Sequence, residues 1–395
     1  MIYLDHAATC PMRRKALEEM RAALESVYAN ASPSYPPAQR AKAELDRARA
    51  VLAETIGADW KEIFFTSGGT ESDNWALIGA AEVLGCGRHI ITTSIEHHAV
   101  LHTCAYLEAR GYTVSYLPVD EKGRVQVKTL QEELQRHPDT GLVSVMMVNN
   151  EVGTIEPIGE LVQEVRNFDR KILFHTDAVQ AYGKLPIDVK QLDVDLMSVS
   201  GHKIGGPKGI GFLYLRRGVQ IGSLIHGGGQ ESGRRAGTEN VPAVIGFAAA
   251  AKEAAACRED ETKRVLELQK YFCEELKREL GLGREGGCLW NGPDPGTDLE
   301  GEKWMRQPCN VSVSFPGYDQ RTLLMNLDLA GICASGGSAC TTGALTPSHV
   351  LLAMGRSREE AAGALRFTLG PENTKEEIRR TICVLKETLQ RVSEI

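Results

Sequence analysis

A lysine in the motif Ser200-Gly-His-Lys203 is the first candidate for chemistry in this chain of 395 residues. The motif follows an apolar run that ends at Val199 and precedes a glycine-rich turn at 204–209. A lysine just after a strand, among small and hydroxyl residues, can form a Schiff base with an aldehyde cofactor such as pyridoxal phosphate. Taken alone the motif is weak evidence, because most lysines near a strand end are solvated surface residues.

A pyridoxal phosphate site also needs a cradle for the phosphate and an acid for the ring nitrogen. Gly69 and Thr70 follow an apolar run and open a predicted helix. Glycine lets the backbone approach an anion, and a helix N-terminus offers free N–H groups, although an ordinary N-cap would explain the same residues. Asp177 follows another apolar run, where it could keep a pyridine nitrogen protonated or could cap a following helix.

Four further polar side chains are candidates for contacts with a cofactor or a substrate. Asn150 and Gln180 are candidate hydrogen-bond partners for a ring oxygen, although turn chemistry would also explain Asn150. His97 could stack on a ring and exchange protons with a substrate, although most single histidines are structural. Arg366 lies in an apolar, strand-like run. Its guanidinium needs a carboxylate there, which either a substrate or an internal Asp or Glu could supply.

Cys340 differs from the other cysteines because it lies in a segment rich in Gly, Ser and Thr, residues 335–343. An exposed thiol on such a loop is a liability unless the protein uses it. The chain has 10 cysteines, which are too few for a disulfide scaffold and form no CxxC pair. We therefore expect neither a disulfide framework nor a structural zinc site, and no other metal.

The composition is typical of a soluble globular protein, with 42% hydrophobic and 25% charged residues. The net charge of −7 argues against a nucleic-acid groove as the main site. No stretch approaches the roughly 20 apolar residues of a membrane span, and the N-terminus has no signal-peptide pattern. We therefore expect a cytoplasmic protein that binds neither membranes nor nucleic acids directly.

Apolar runs alternate with helical segments between residues 60 and 215. Near-continuous apolar runs predict strands that are buried on both faces, and alternation with helices predicts a mostly parallel sheet. Ligands of such sheets gather at the carboxyl ends of the strands. The predicted strands lie at 63–65, 88–92, 113–117, 142–148, 172–175, 196–199 and 211–215, and the predicted helices at 71–84, 98–109, 127–136 and 158–168.

The rest of the chain predicts a second, smaller unit. A long helix is predicted over 243–281, with room for one break, followed by a loop or insert over 283–309, a strand over 310–315 and a helix over 374–394. A chain of this length exceeds one ordinary core. We predict a large α/β domain over 12–257, with a mostly parallel seven-stranded sheet covered by helices. A small α+β domain is predicted over 258–395, with residues 1–11 packing near it.

The ordered motifs of the chain resemble those of the cysteine desulfurases of the NifS/IscS type. That family belongs to the class V aminotransferase-like group of fold-type I pyridoxal-phosphate enzymes, which implies the same fold and cofactor here. The likeness covers nearly the whole chain. Its motifs are Tyr3-Leu-Asp-His-Ala-Ala-Thr9, Thr66-Ser-Gly-Gly-Thr-Glu-Ser-Asp-Asn74, Glu96-His-His-Ala-Val100, Val148-Asn-Asn-Glu-Val-Gly153, Asp177-Ala-Val-Gln180, Ser200-Gly-His-Lys203, Gly227-Gly-Gly-Gln-Glu231, Arg235-Ala-Gly-Thr-Glu-Asn240, Gly337-Ser-Ala-Cys-Thr341 and Leu365-Arg-Phe-Thr-Leu-Gly370.

The resemblance implies a role for each candidate residue. Three residues would be catalytic, namely Lys203, which holds the cofactor, His97, which stacks on its ring, and Cys340, which attacks the substrate sulfur. The ring nitrogen and ring oxygen would be met by Asp177, Asn150 and Gln180. The phosphate would be bound by Gly69, Thr70, Ser200, His202 and, across the interface of a homodimer, Thr238 of the partner subunit. The substrate would be bound by Arg366 and Asn30.

The implied reaction converts L-cysteine to L-alanine and leaves a persulfide on Cys340 for a sulfur-acceptor protein, such as an iron–sulfur scaffold or a thiolation protein. An alternative is a selenocysteine lyase or another pyridoxal-phosphate lyase that performs β-elimination. It is motivated by the family histidine that residues 30–37 lack and by Ser232, where the family often has arginine. A second alternative is a sulfur-relay or assembly component that acts mainly by binding a partner. Cys10 also replaces the family's usual threonine.

Overall fold

The computed structural model describes residues 1–84, 89–284, 286–294, 299–300, 303–337 and 347–393. Its strands are β1 (Ile2–Tyr3), β2 (Ile63–Thr66), β3 (His89–Thr93), β4 (Thr113–Leu117), β5 (Thr140–Ser144), β6 (Leu173–Asp177), β7 (Leu196–Ser200), β8 (Gly211–Leu215), β9 (Leu289–Trp290), β10 (Leu299–Glu300), β11 (Lys303–Trp304), β12 (Asn310–Ser314), β13 (Ile332–Cys333), β14 (Ser335–Gly336) and β15 (Ala364–Thr368). Its α-helices are α1 (Arg14–Ser26), α2 (Pro36–Glu54), α3 (Gly69–Val83), α4 (His98–Glu108), α5 (Val127–Arg136), α6 (Ile158–Phe168), α7 (Val189–Leu192), α8 (Val241–Leu280), α9 (Gln320–Leu329), α10 (His349–Ala353), α11 (Arg358–Ala362) and α12 (Lys375–Ser393).

The main sheet has seven strands in the order β2-β8-β7-β6-β5-β3-β4. The five strands from β7 to β4 run parallel to one another, and β8 is antiparallel to both of its neighbours. The predicted mostly parallel seven-stranded sheet is therefore confirmed. Helices that cover the sheet connect its parallel strands, which is the usual connection between parallel strands.

Alternate residues of the strands face two separate cores, because successive side chains of a strand point to opposite faces. Ile91, Val143 and Phe212 pack on one side, where Phe247 of α8 joins them. Their neighbours pack on the other side around Trp75 of α3. Both faces are thus buried, as the near-continuous apolar runs indicate.

A second sheet of four strands, in the order β14-β15-β12-β9, lies beside α8 and α12. The helix α8 is continuous over its 40 residues, without the break that the sequence allowed. It contributes Phe247 to a core of the main sheet and Phe272 to the core of the second sheet. Leu4 joins the second core, and β1 pairs with β13. The domain boundary near 257 remains a prediction.

The segment 283–309 is not entirely loop, because β9 pairs with β12 through Trp290 and Val313 and forms an edge of the second sheet. The strands β10 and β11 form a further antiparallel pair within it. Within the described ranges, no helix is both long and apolar enough to cross a bilayer.

A buried ion pair ties α2 to the segment that follows β8. Arg49 donates two hydrogen bonds to the Glu231 carboxylate, at 2.6 and 2.7 Å, and a third to the carbonyl of Ile63 at 2.6 Å. Glu231 also accepts a bond from the backbone N–H of Phe65 at 2.9 Å. The two side chains are 8% and 2% exposed, so loss of either partner leaves an uncompensated buried charge.

We expect Glu231→Gln to lower the free energy of unfolding by about 3–5 kcal/mol, because Arg49 then keeps its charge without a carboxylate. Urea denaturation followed by circular dichroism measures this change. Glu44→Gln is the matched control, because it removes a surface partner of Arg47 on the same helix and should cost less than about 1 kcal/mol. Equal effects of the two substitutions would contradict a dominant role for the buried pair.

Candidate active site

A cavity of about 360 Å³ lies at the carboxyl ends of the main-sheet strands. Ten of the residues proposed from the sequence line it, namely Gly69, Thr70, His97, Asn150, Asp177, Gln180, Ser200, His202, Lys203 and Arg366. They come from separate segments that the parallel strands and β15 bring to one place. This agrees with the rule that ligands of open α/β sheets bind at the carboxyl ends of strands.

Three proposed residues do not line the cavity in this structure. Asn30 is exposed, and its side-chain oxygen accepts a hydrogen bond from the backbone of Ser32 at 2.9 Å. Thr238 is also exposed and stands outside the cavity wall of this single chain. Cys340 lies outside the described residues, although Gly337 before it and His349 after it both line the cavity.

Lys203 is placed by a short 3-10 turn, Gly201–Ile204, that begins directly after β7. Gly201 packs against Phe247. A Cβ at this position would lie 3.1 Å from a ring carbon, so a larger residue would be crowded here. The Lys203 ammonium donates hydrogen bonds to the carbonyls of Ala7 and Ala8, at 2.5 and 2.9 Å. The N-terminal segment therefore closes one side of the cavity over the lysine.

Asp177 ends β6 and lines the cavity. It accepts a hydrogen bond from the backbone N–H of Val179 at 2.8 Å. Burial raises the pKa of its carboxyl to about 6, while the Val179 bond and the Lys203 charge oppose the shift. A buried carboxylate in this setting gains from a cationic partner, which a protonated pyridine nitrogen would supply.

A second carboxyl, Asp73, lies beside Asp177 and belongs to the same cavity wall. Burial, followed by the neighbouring charge of Asp177, raises the pKa of Asp73 well above its ordinary value. The His175 ring lies behind the pair, with Nε2 at 3.7 Å from an Asp73 oxygen. Burial lowers the pKa of His175 to about 3, so this imidazole is neutral. The two carboxyls therefore share a site where only one charge is easily held.

The start of α3 forms a backbone cradle at the cavity edge. Gly68 has a φ of 153°, a conformation that L side chains rarely adopt. A Cβ on Gly69 would lie 2.6 Å from a methyl carbon of Val179, so a side chain here would displace its neighbour. The helix presents its N-terminus and the Thr70 side chain to the cavity, which suits an anionic group such as a phosphate.

His97 caps α4, where its Nδ1 accepts a hydrogen bond from the backbone N–H of Ala99 at 3.1 Å. The proton of the neutral ring is then on Nε2. Burial, and next the charge of Lys203, lower the pKa of His97 to about 4. This imidazole is therefore neutral near pH 7 and can stack on an aromatic ring without charge repulsion from the lysine.

Arg366 on β15 is paired inside the protein as well as facing the cavity. One Nη donates to Asp5 at 2.8 Å, and the other donates to the carbonyl of Asn150 at 2.8 Å. The internal carboxylate that the sequence left open is thus Asp5. The Nε atom of Arg366 is buried and makes no hydrogen bond to another described residue. The guanidinium retains donor capacity for a second carboxylate.

Gln180 also keeps one polar atom without a protein partner. Its Nε2 donates to the carbonyl of Ala7 at 3.0 Å, whereas its Oε1 is buried and has no hydrogen-bond partner among the described residues. Such a buried acceptor costs free energy unless a ligand or water meets it. These residues fit the chemical groups of pyridoxal phosphate. Lys203 suits its aldehyde, and Asp177 suits its protonated ring nitrogen. The cradle at Gly69 suits its phosphate, and the Gln180 Oε1 suits its ring hydroxyl.

Four polar residues of the wall are not among those predicted from the sequence, namely Asp73, His98, Glu151 and His349. Burial raises the pKa of Glu151 to about 7, and its carboxylate accepts a hydrogen bond from the Ser348 hydroxyl. Asp73, His98 and Glu151 stand inside motifs that were already singled out, so their positions in the sequence carried a signal. His349 lies in no such motif.

A separate group of potential metal ligands, His89, Glu133 and His137, lies at the other end of the sheet, with its ligand atoms within 4.8 Å of one another. The two ring nitrogens of His89 already meet the hydroxyls of Thr140 and Ser115, at 2.7 and 2.9 Å. The group is therefore a hydrogen-bond network in this structure, and it lies apart from the cavity.

The raised pKa of Asp177 predicts a pH-dependent cost to the cofactor-free protein. Since the folded-state pKa is above the unfolded one, the cost grows as the pH rises through about 6. We expect cofactor-free Asp177→Asn to be more stable than the parent by roughly 1–3 kcal/mol at pH 7.5, with the gain gone near pH 4. Urea denaturation at both pH values measures it.

Asp169→Asn is the control, because that exposed carboxylate makes the same kind of bond to a backbone N–H two residues on. Its effect on the free energy of unfolding should stay within about 0.5 kcal/mol. A gain for Asp177→Asn that is equal at the two pH values would contradict the account of the buried carboxyl.

The chain is similar to known proteins along most of its length. The model of the aminotransferase class-V family matches residues 2–381. A protein named cysteine desulfurase IscS from Methanosarcina thermophila is 44% identical over 392 residues, which are 99% of this chain and 92% of that protein.

Two solved structures are similar along almost the whole chain. One is described as a NifS-like protein, with 38% identity, a TM-score of 0.89 and coverage of 99% of both chains. The other is SspA in complex with cysteine, with 34% identity, a TM-score of 0.80 and coverage of 95% of this chain and 100% of that one. The motif match, the fold and the cavity agree with these relatives, and the chain belongs to the aminotransferase class-V family.

Proposed function

We propose that the protein is a pyridoxal-phosphate-dependent cysteine desulfurase, which converts L-cysteine to L-alanine and carries the sulfur as a persulfide on Cys340. The observation that carries the proposal is the meeting of Lys203, Asp177, Arg366 and the Gly69–Thr70 cradle in one cavity of about 360 Å³. The relative from Methanosarcina thermophila, which bears the name cysteine desulfurase, supports the same activity.

The residues that would hold the cofactor divide by its chemical groups. Lys203 would bind its aldehyde carbon, and Asp177 would pair with its ring nitrogen. The phosphate would lie at the start of α3, near Gly69, Thr70, Ser200 and His202. Gln180 would meet the ring oxygen through its Oε1 or Nε2, with Asn150 beside it. When bound, the cofactor supplies an electron sink that weakens bonds next to the substrate's amino carbon.

Arg366 is the proposed anchor for the substrate carboxylate. Its guanidinium is 2% exposed and is held in place by Asp5 and the Asn150 carbonyl, so its orientation is fixed before a substrate arrives. A fixed guanidinium binds a planar carboxylate with little loss of side-chain entropy. The neighbouring structure of SspA was solved with cysteine, which is consistent with an amino acid of this size. Asn30 keeps a proposed role in substrate binding from the sequence, although it stands outside the cavity wall.

Lys203 and His97 are the proposed proton carriers of the cavity. Released from its carbonyl partners, the Lys203 amine would take the proton from the substrate's α-carbon. The neutral His97 ring carries its proton on Nε2, away from the backbone bond that holds it, and can exchange that proton with the substrate. The carbonyls of Ala7 and Ala8 hold the lysine ammonium in place in the cofactor-free protein.

The sulfur step belongs to Cys340. Its thiolate would attack the substrate sulfur, so that an S–S bond forms while the substrate's C–S bond breaks. The carbon product takes up a proton and leaves as alanine, and the persulfide stays on the protein. Gly337 and His349, which line the cavity on either side of this residue in the sequence, support its access to the site.

We also propose a homodimer that passes sulfur to an acceptor protein. Thr238 lies on the surface of the single chain, where a second copy could use it to complete its phosphate site. Arg235 in the same segment is held by Glu71 of α3 at 2.8 Å, next to Thr70. The segment that carries Thr238 is therefore anchored beside the cavity through Arg235. The nature of the acceptor, an iron–sulfur scaffold or a thiolation protein, remains a prediction from the resemblance.

We expect the cofactor-loaded protein to form alanine and a protein persulfide from L-cysteine, and Cys340→Ala to form no persulfide at this site. The persulfide is measured by tagging with a thiol-reactive probe and peptide mass spectrometry. Cys383→Ala is the matched control, because Cys383 is an exposed cysteine on α12. It should retain both products at the level of the parent.

Sulfide release that persists in Cys340→Ala at the parent rate would contradict the desulfurase and favour a β-elimination lyase. A protein that binds no cofactor would contradict both enzymes.

A further inference from the structure

A second cavity, of about 310 Å³, borders the turn Gly201–Ile204 that carries Lys203. Among the described residues, it shares only Lys203 with the cavity of the proposed active site. Its walls include residues 10–13, the part of α8 between 254 and 265, and residues 369–372 after β15. Its volume lies at the lower end of the roughly 300–1,000 Å³ that is usual for small-molecule sites.

Lys184 brings an unpaired charge to the second cavity. Its Nζ atom is buried and has no hydrogen-bond partner among the described residues. An ammonium in this state has lost hydration without a compensating contact, which is costly unless a ligand or water meets it. Burial lowers the pKa of His6 and raises that of the Cys10 thiol, and the Lys184 charge acts to lower both. Since both residues line the cavity, the charge is felt inside it.

The other charged side chains of the wall do not neutralise this cation. Arg13 and Glu261 neutralise each other through two hydrogen bonds of 2.8 Å. Glu372 lies 3.4 Å from His6 and its side chain is 56% exposed, so solvent screens its charge. Arg258 lines the cavity and makes no ion pair with a carboxylate of the described residues. The uncompensated charge of the described wall is therefore positive.

The remainder of the wall is mostly apolar. It includes Met12 and the buried side chains of Ile204, Val265 and Leu369. An inorganic phosphate would leave most of its oxygens against carbon atoms here, which is unfavourable. A carboxylate with an apolar body would instead place its charge at the Lys184 ammonium and its carbon atoms against these side chains.

We propose that the second cavity binds a small organic monocarboxylate, whose carboxylate meets the Lys184 ammonium and whose apolar body packs between α8 and residues 369–372. This site is separate from the proposed anchor for the substrate carboxylate, because Arg366 lines the other cavity. The inference goes beyond the proposed function and does not depend on it.

A ligand in the second cavity would contact residues that hold the turn of Lys203. The Cys10 thiol donates to the carbonyl of Lys203 at 3.2 Å, and the Arg13 Nε donates to the carbonyl of Ile204 at 3.0 Å. The backbone N–H of Cys10 also donates to the carbonyl of His202 at 3.1 Å. The second cavity is therefore built on the same turn as the proposed active site.

The test measures binding of radiolabelled hexanoate to the cofactor-loaded protein by equilibrium dialysis, without turnover. We expect Lys184→Met to weaken binding about tenfold or more, a usual effect of losing a hydrogen bond to a charged group. 1-Hexanol, which has the same tail without the charge, should compete about tenfold more weakly than unlabelled hexanoate. Lys190→Met is the matched control and should bind like the parent, because this exposed lysine of α7 does not line the cavity.

A second variant removes the space and keeps the charge. Thr262 is half-buried on α8 and lines the cavity, so the indole of Thr262→Trp would take up room that the ligand needs. We expect this variant to lose hexanoate binding although Lys184 is intact. Circular dichroism shows that each variant keeps its fold.

Three results would overturn the inference. The first is a parent protein that binds no hexanoate up to about 10 mM. The second is a Lys184→Met variant that binds hexanoate as tightly as the parent. The third is binding that is lost in Arg366→Ala and retained in Lys184→Met, because the carboxylate would then occupy the proposed active site.

Discussion

The ion pair between Asp5 and Arg366 joins two ends of the chain that are 361 positions apart, at a distance of 2.8 Å. It fixes the N-terminal segment against β15, and the nearby residues Ala7 and Ala8 then reach over Lys203. The same Ala7 carbonyl holds Gln180. The cavity is thus closed by a segment that this ion pair helps to hold, together with the pairing of β1 with β13 and a backbone hydrogen bond from Thr368 to Leu4 at 2.7 Å.

Electrostatics inside the cavity follow from the burial of its titratable groups. Burial makes ionisation costly for Asp177 and His97, which raises the pKa of Asp177 and lowers that of His97. The positive charge of Lys203 acts to lower the pKa of both groups. The cavity therefore contains the Lys203 cation, neutral imidazoles, and the Asp177 carboxyl, which ionises readily when a cation lies beside it. Such an arrangement is poised to bind a zwitterionic amino acid and to move protons near neutral pH.

The sequence could predict the main sheet and most of its site because both follow from local patterns. Lys203 and Asp177 stand at the ends of apolar runs, and parallel strands bring such ends to one edge. The partners of these residues were not predictable in the same way. Asp5 meets Arg366 across 361 positions of sequence, and His349 reaches the wall from a short helix that has no pattern of its own. Long-range pairings of this kind depend on packing and not on local sequence.

The most direct test of the account is to reduce the cofactor-loaded protein with borohydride, digest it and locate the modified residue by mass spectrometry. We predict that the mass of the reduced cofactor appears on Lys203. Lys184 and Lys208 are built-in comparisons, because their charges act on the neighbouring His202 although neither residue lines the cavity of the proposed active site. Modification of either of them, or a protein that takes up no cofactor, would contradict the assignment of the cavity.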